Sequence, residues 1–324
     1  MEILKWIALF AIALYALLKS AEYFTYTAEK IGIHFKIPPF IIGVSIIALG
    51  TSLPELATSI ISVMQGHSEI VIGTVVGSNM ANILLVLAIT AIVGKHLKVN
   101  QDIINIDLPI LLASSMFLFF TTLDGKFTYI DGAICILALL TYIIYNIKSR
   151  RKVGSKQMKD ISKLKRAETI KKKKESLQIK YPIILILSSS FLYFSADFTI
   201  QAVIEISKIL KIGTEIIAVS AIAIGTSLPE LVVSAVAAKK GKADIAIGNI
   251  TGSNIFNTLG VMSVPSFFGT LSVSPEIISF TIPALLFVTI LYVFTTMDRQ
   301  ISQWEGITFL LLYVAFMGKT FGVI

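Results

Sequence analysis

The chain is written twice. Aligned without a gap at an offset of 175, residues 40–89 and 215–264 share 24 identities in 50 positions. Upstream, Ser20-Ala21-Glu22 faces Ser195-Ala196-Asp197 at the same offset. Downstream, Phe120-Thr121-Thr122-Leu123-Asp124 faces Phe294-Thr295-Thr296-Met297-Asp298 at an offset of 174, and Pro109 faces Pro283. Apolar runs lie near 3–28, 40–64, 70–93, 104–122 and 127–147, then 181–206, 215–238, 244–268, 276–296 and 303–322. Most are long enough to span a membrane as helices, and β-barrel strands would need about half that length. Five runs fall in each half. Five is odd, so the second copy enters the membrane from the opposite side. The expected fold is an all-α polytopic membrane protein of ten transmembrane helices. It comprises a first five-helix repeat at 1–147, a basic loop at 148–180, and a second, inverted repeat at 181–324.

Composition excludes the alternatives. Hydrophobic residues make up 55% of the chain and charged residues 15%, whereas a soluble domain carries about 25% charge. The single cysteine, Cys135, rules out a disulfide scaffold. The first run carries Glu2 and lacks a clear small-x-small cleavage site, so it is read as a helix rather than a leader.

The net charge of +8 is concentrated. Residues Lys148 to Lys180 hold 14 of the 28 Lys and Arg and 3 of the 20 Asp and Glu, a net +11, which leaves −3 for the rest. A basic run between two apolar halves reads as a cytoplasmic loop near anionic lipid, not as a nucleic-acid footprint. With both termini outside, 22 loop Lys and Arg lie inside and 5 outside, as the positive-inside rule demands. The expected location is the cell membrane, with lipid as a partner and nucleic acid not.

The chemistry sits in two duplicated motifs. Gly50-Thr51-Ser52-Leu53-Pro54-Glu55 is matched by Gly225-Thr226-Ser227-Leu228-Pro229-Glu230, each in mid-run. A carboxylate there costs about 2.5–3.5 kcal/mol on insertion scales, and two in register imply a shared purpose. Proline supplies no N–H and clashes with the preceding turn, and the residue before it leaves helical geometry. Broken helices at the midplane follow, with free carbonyls around Ala48 and Thr51 and their counterparts. Such carbonyls need a partner or a water-lined cavity, and a cation is the natural partner. Thr51 and Ser52 share a helix face with Glu55.

The second motif, Gly73-Thr74-Val75-Val76-Gly77-Ser78-Asn79-Met80-Ala81-Asn82, is matched by Gly248-Asn249-Ile250-Thr251-Gly252-Ser253-Asn254-Ile255-Phe256-Asn257. Ser78 and Asn82 are spaced i, i+4, as are Ser253 and Asn257, so each pair projects to one side. Asn79 and Asn254 point about 100° away and belong to supporting contacts. Gly73 and Gly77 permit close helix approach. The set is two carboxylates, four serines, two asparagines and backbone carbonyls. It contains no Cys or His, which suits hard cations such as Ca²⁺ or Na⁺ rather than Zn²⁺ or Cu⁺. His34, His67 and His96 fall outside the spans, which removes the base that a membrane serine protease needs. No phosphate-binding Gly-x-x-x-x-Gly-Lys-Ser/Thr loop exists.

These paired Gly-Thr-Ser-Leu-Pro-Glu and Gly-Ser-Asn-x-x-Asn segments resemble the α-repeats of the cation/Ca²⁺ exchanger superfamily, and the compact prokaryotic Na⁺/Ca²⁺ exchangers above all. The basic loop is too short for the Ca²⁺-sensing domains of animal exchangers. The resemblance implies four cation sites in a diamond at the midplane. Glu55 and Glu230 with the carbonyls of Thr51 and Thr226 would hold Ca²⁺. Na⁺ would use the glutamates with Ser52, Ser227, Ser78, Ser253 and the carbonyls of Ala48 and Ala223. Asn82 and Asn257 would complete the middle site. Two positions depart from the family: Asn257 stands where many members carry Asp, and Thr74 where many carry Asn. No cofactor is implied, and a monomer is expected to suffice.

The resulting expectation is a secondary antiporter, not an enzyme, that exchanges Na⁺ for Ca²⁺ by alternating access, the first helix of each half sliding over a rigid core. An H⁺/Ca²⁺ exchanger of the same superfamily is the near alternative. A passive cation channel with acidic filter residues is the alternative from another class. Two buried half-sites in inverted repeats favour alternating access.

Overall fold

Helices form where the apolar runs lie, and their ends follow the charged and glycine-bearing turns. The computed structural model describes residues 2–34, 50–164, 180–241 and 243–323. Ala48, the stretch 40–49 of the second apolar run, and much of the basic loop lie outside the described residues. In the first half, α1 is Glu2–His34, α2 Leu53–Met64, α3 Glu69–Gly94, α4 Ile103–Thr121 and α5 Tyr129–Leu164. In the second, α6 is Lys180–Leu210, α7 Thr214–Thr226 and α8 Leu228–Lys239. α9 starts at Ala243–Phe256 and continues through residues 257–266, followed by α10 Ile277–Thr295 and α11 Gln303–Thr320.

Six of the described helices, α1, α3, α4, α5, α6 and α10, are long and apolar enough to cross a membrane. The α7–α8 pair, bent by 42° at Ser227, makes a seventh. This is a multi-pass membrane protein. α5 continues past the expected boundary at 147 to Leu164, because Lys and Arg are good helix formers and the segment holds one glycine and no proline.

The all-α expectation also misses four very short strands among the described residues. β1 (His96–Lys98) pairs antiparallel with β4 (Gln300–Ser302), and β2 (Lys126–Phe127) with β3 (Leu271–Ser272). Both ribbons join a loop of the first half to a loop of the second, so the halves are stitched at two places.

Among the described residues, five helical stretches widen into π-turns. Asn82–Val86 in α3 and Asn257–Val261 in α9 are separated by the repeat offset of 175. Ile103–Asp107 and Ile277–Thr281 are separated by 174. The fifth, Ala218–Ile222, lies in α7. A π-turn displaces one backbone bond and re-aims the side chains after it, and such turns gather at functional sites. Here the first pair begins at the two asparagines singled out by sequence.

The packing has two parts. α3 runs through the middle with Ile72, Val75, Val76, Met80, Ile83 and Leu84 buried. It belongs to one continuous apolar core with α4, α5, α9, α10 and α11. A smaller cluster joins Leu17 of α1 and Ala196, Ile200 and Val203 of α6 to Ile61 of α2 and Ala218 and Ile222 of α7. α1 and α6 pack chiefly on each other, at the edge of the bundle. Their outer faces expose Leu4, Ile12, Ile186, Leu187 and Phe191. In a lipid-embedded protein such apolar exposure carries no penalty, and association rests on packing and interhelical hydrogen bonds.

Candidate functional site

Glu55 and Glu230 are both fully buried. Each sits in the first turn of a helix begun by the proline before it, at Pro54 in α2 and Pro229 in α8. Helix breaks lie at Ser52 (φ −92, ψ 9) and Ser227 (φ −81, ψ 1), outside the helical region. Proline at the start of a helix is tolerated because its missing N–H would have had no partner there. The expected breaks are therefore present, and each ends two to three residues before its carboxylate.

The motifs interlock across the halves. Glu55 faces Ser78 of its own half and Thr226 of the other; Glu230 faces Ser253 of its own half, Thr51 of the other, and Glu55 itself. The hydroxyls of Thr51 and Ser253 lie 3.3 Å apart, and those of Ser78 and Thr226 3.5 Å apart. Ser52 Oγ donates to Glu230 Oε1 at 3.4 Å. The pattern is a pseudo-two-fold cross, with each carboxylate between a serine and a threonine from different helices.

Among the described residues no donor meets either oxygen of Glu55 in hydrogen-bonding geometry, although the hydroxyls of Ser78 and Thr226 face it, and Glu230 Oε2, Ser227 Oγ, Asn82 Oδ1 and Asn257 Oδ1 are likewise without a partner. Buried polar atoms in native proteins are nearly always bonded, since leaving them so costs roughly 1–3 kcal/mol each. Three of these oxygens belong to the two facing carboxylates, and buried carboxylate oxygens without donors are what a hard cation would satisfy.

Asn82 is held through its amide nitrogen. Its Nδ2 donates to Asn254 Oδ1 at 3.0 Å, which leaves Oδ1 free. Asn79 Nδ2 donates to Thr258 Oγ1 at 2.8 Å and to the Asn254 carbonyl at 3.4 Å. Asn79 and Asn254 thus tie α3 to α9. The expected free carbonyl at Ala223 meets a difference: it accepts the Ser227 N–H at 3.1 Å and the Thr226 hydroxyl at 3.5 Å. The bend at Ser227 is tight enough for that N–H to reach back one turn, so a cation would have to share the oxygen's second lone pair. The carbonyl of Gly225, which Pro229 cannot serve, is the one proline strips of its donor.

Glycines let the two halves approach. A Cβ on Gly73 would lie 2.8 Å from the Glu215 carbonyl and 2.9 Å from Ala218 Cβ. On Gly77 it would lie 2.5 Å from the Val219 carbonyl and 2.6 Å from its Cα. The Gly-x-x-x-Gly face thus presses α3 backbone against α7 backbone. Among the described residues no three of His, Cys, Asp and Glu cluster, which leaves the glutamate pair as the acidic centre.

One buried acid escaped sequence reading. Asp107 lies within α4 and is 3% exposed, and it accepts from Tyr142 Oη of α5 at 2.8 Å. An acid inside the run 104–122 was the available signal, but the second half offers Thr281 there, and the repeat argument passed over it.

The family model for sodium/calcium exchanger proteins matches residues 5–148 and 180–321. The chain belongs to this family. The sodium/calcium exchanger MaX1 of Methanosarcina acetivorans is 30% identical, over 93% of this chain and 94% of that one. The inner membrane protein YrbG of Escherichia coli is 28% identical, over 94% of this chain and 92% of that one. Among solved structures, the sodium-calcium exchanger NCX_Mj soaked with Na⁺ and Sr²⁺ superposes with a TM-score of 0.65 at 27% identity, over 97% of both chains. The same protein without Na⁺ and Ca²⁺ gives 0.62 at 26%, over 97% of this chain and 98% of that one. The exchanger described here is therefore a cation/Ca²⁺ antiporter of the compact prokaryotic type, and not an enzyme.

Proposed function

We propose that this exchanger moves Ca²⁺ against Na⁺ by alternating access at the Glu55–Glu230 centre. The observation that carries the reading is the crossed pair of buried carboxylates, with oxygens from both halves and, among the described residues, no basic partner facing them. Two carboxylates give −2. One Ca²⁺ neutralises it, two Na⁺ do the same, and a third Na⁺ leaves +1. The two ions would compete for the same oxygens, so the loaded species alternate. Ca²⁺ would use Glu55 and Glu230 with the carbonyls of Thr51 and Thr226. Na⁺ would use the glutamates with Ser52, Ser227, Ser78, Ser253 and the carbonyls of Ala48 and Ala223, and Asn82 and Asn257 would complete the middle position. With asparagine rather than aspartate at 257, exchange needs no K⁺.

Ten spans in two inverted repeats, both termini outside and the basic loop cytoplasmic, is the topology that fits. That alternation puts β1 and β4 on the inner side, and β2, β3 and the α2–α3 turn on the outer side. The ribbons pair just those strands, and Ser272 N donates to Ser68 Oγ of that turn at 3.1 Å.

The test is ⁴⁵Ca²⁺ uptake into proteoliposomes loaded with Na⁺, with K⁺, or with an outward proton gradient. Uptake driven by internal Na⁺ alone is expected. Uptake driven by protons and indifferent to Na⁺ would replace this reading with H⁺/Ca²⁺ exchange. Uptake with no ion on the opposite side would replace it with a channel.

A further inference from the structure

One helical turn beyond each carboxylate, away from its proline, the two halves differ. α2 packs on α3, as α8 does on α9. Glu55 of α2 faces Ser78 of α3. Four residues on along α2 and four back along α3 lie Ser59 and Thr74, the next layer on the same helix faces. The equivalent layer of α8 and α9, at the offset of 175, is Ser234 and Asn249. Contact there is direct. Asn249 Nδ2 donates to Ser234 Oγ at 3.2 Å, and Ser234 Oγ donates to the Ala246 carbonyl at 3.3 Å. An amide thus closes the second-half layer.

In the first half a threonine stands at the position of that amide, and its hydroxyl reaches less far. Ser59 Oγ and Thr74 Oγ1 are fully buried, and among the described residues neither has a hydrogen-bond partner. Other buried hydroxyls on these helices return to a carbonyl three or four residues back, as those of Thr58, Ser62 and Thr226 do. Ser59 and Thr74 forgo that local bond, so both oxygens are available to something else. The polar stripe also runs further here. Glu55, Ser59 and Ser62 are spaced i, i+4, i+7 along α2, whereas the counterpart of Ser62 is Ala237.

We propose that Ser59 and Thr74 are a dehydration step on the Ca²⁺ path, one turn before Glu55, where hydroxyl oxygens replace hydration water before the carboxylates do. A hard cation gives up water only to other oxygen ligands. Two neutral hydroxyls ease that exchange without binding the ion tightly enough to compete with the glutamates. On the far side of the site the Asn249–Ser234 bridge has to open for the same passage. The two entrances are therefore unequal, hydroxyl-lined between α2 and α3 and amide-closed between α8 and α9. The proposal rests on Glu55 and Glu230 being the cation centre. In the topology proposed above, the α2–α3 entrance is the outer one.

The experiment measures exchange of ⁴⁵Ca²⁺ for unlabelled Ca²⁺ in right-side-out and inside-out membrane vesicles, which gives kcat/KM for Ca²⁺ from each side. Self-exchange needs neither Na⁺ nor a proton gradient, so it is blind to which counter-ion the protein uses. Equilibrium Ca²⁺ binding in Glu55→Gln, measured separately, tells failure of the centre from failure of the entrance. Thr74→Val and Ser59→Ala each remove a buried hydroxyl without a partner, so the melting temperature should hold or rise. Each should lower kcat/KM from one side alone, roughly three- to tenfold, the scale of one hydroxyl interaction. Equilibrium Ca²⁺ affinity should be unchanged. The side affected should be the outer one; a loss confined to the inner side would support the step and reverse the orientation. Thr74→Asn combined with Asn249→Thr should exchange the faster and slower sides. No loss from either side, an equal loss from both, a fall in equilibrium affinity, or a double variant that keeps the wild-type order of sides would each overturn the proposal.

Discussion

Gly77→Ala tests the contact that sets the site's dimensions. The added methyl would meet the Val219 carbonyl at 2.5 Å, the Val219 Cα at 2.6 Å and Ala223 Cβ at 2.8 Å, where 3.4–4 Å is ordinary contact. Two of these atoms are backbone, so no rotamer change relieves the clash, and α7 must retreat by about 1 Å. Overpacking of this kind costs about 1–3 kcal/mol. α7 carries Ala223 and Thr226, and Thr226 faces Glu55. If that retreat is taken up at the cation ligands, Ca²⁺ affinity falls roughly 5- to 150-fold. Titration calorimetry with Ca²⁺ in detergent, alongside the melting temperature, measures both consequences. Gly269→Ala is the control, since its new methyl meets only a Val63 side-chain methyl at 3.3 Å. Wild-type affinity and melting temperature in Gly77→Ala would show that α3 and α7 are not held at the distance described.

Other outcomes follow from the same geometry. Asn79→Ala removes the donor to Thr258 and the Asn254 carbonyl, and should lower stability by about 1–3 kcal/mol, read by thermal unfolding. Asn257→Asp would add a third titratable carboxyl to the proposed site, so Ca²⁺ flux should gain a dependence on pH, Na⁺ or K⁺ while Ca²⁺ binding persists; flux against pH and K⁺ in both forms measures it. Ser155→Cys should be closed to impermeant thiol reagent in intact cells, and labelling there would reverse the proposed orientation.

Much of the plan was legible because membrane helices write themselves as runs. The apolar run 70–93 became Glu69–Gly94, and 276–296 became Ile277–Thr295. The prolines marked the breaks at Ser52 and Ser227 because a missing N–H is a local fact. The crossed partnership was not legible. Spacing places Thr51 on the face of Glu55, yet in the structure Thr51 faces Glu230, because the halves interleave and a short i, i+4 rule sees only its own helix. The π-turns at Asn82 and Asn257 also left no signal, since one extra residue in a buried apolar helix disturbs no polar pattern. The β ribbons depend on loops from opposite halves meeting, which only the tertiary arrangement decides.

The central claim is that Glu55 and Glu230 together bind Ca²⁺ and that Na⁺ competes for the same oxygens. Equilibrium binding of ⁴⁵Ca²⁺ to the purified protein, with Na⁺ titrated in, measures this directly in the wild type, Glu55→Gln and Glu230→Gln. The account predicts saturable Ca²⁺ binding that Na⁺ displaces, with a Hill coefficient above one, and no saturable binding in either folded variant. Unchanged Ca²⁺ binding in either variant, or wild-type binding indifferent to Na⁺, would contradict it.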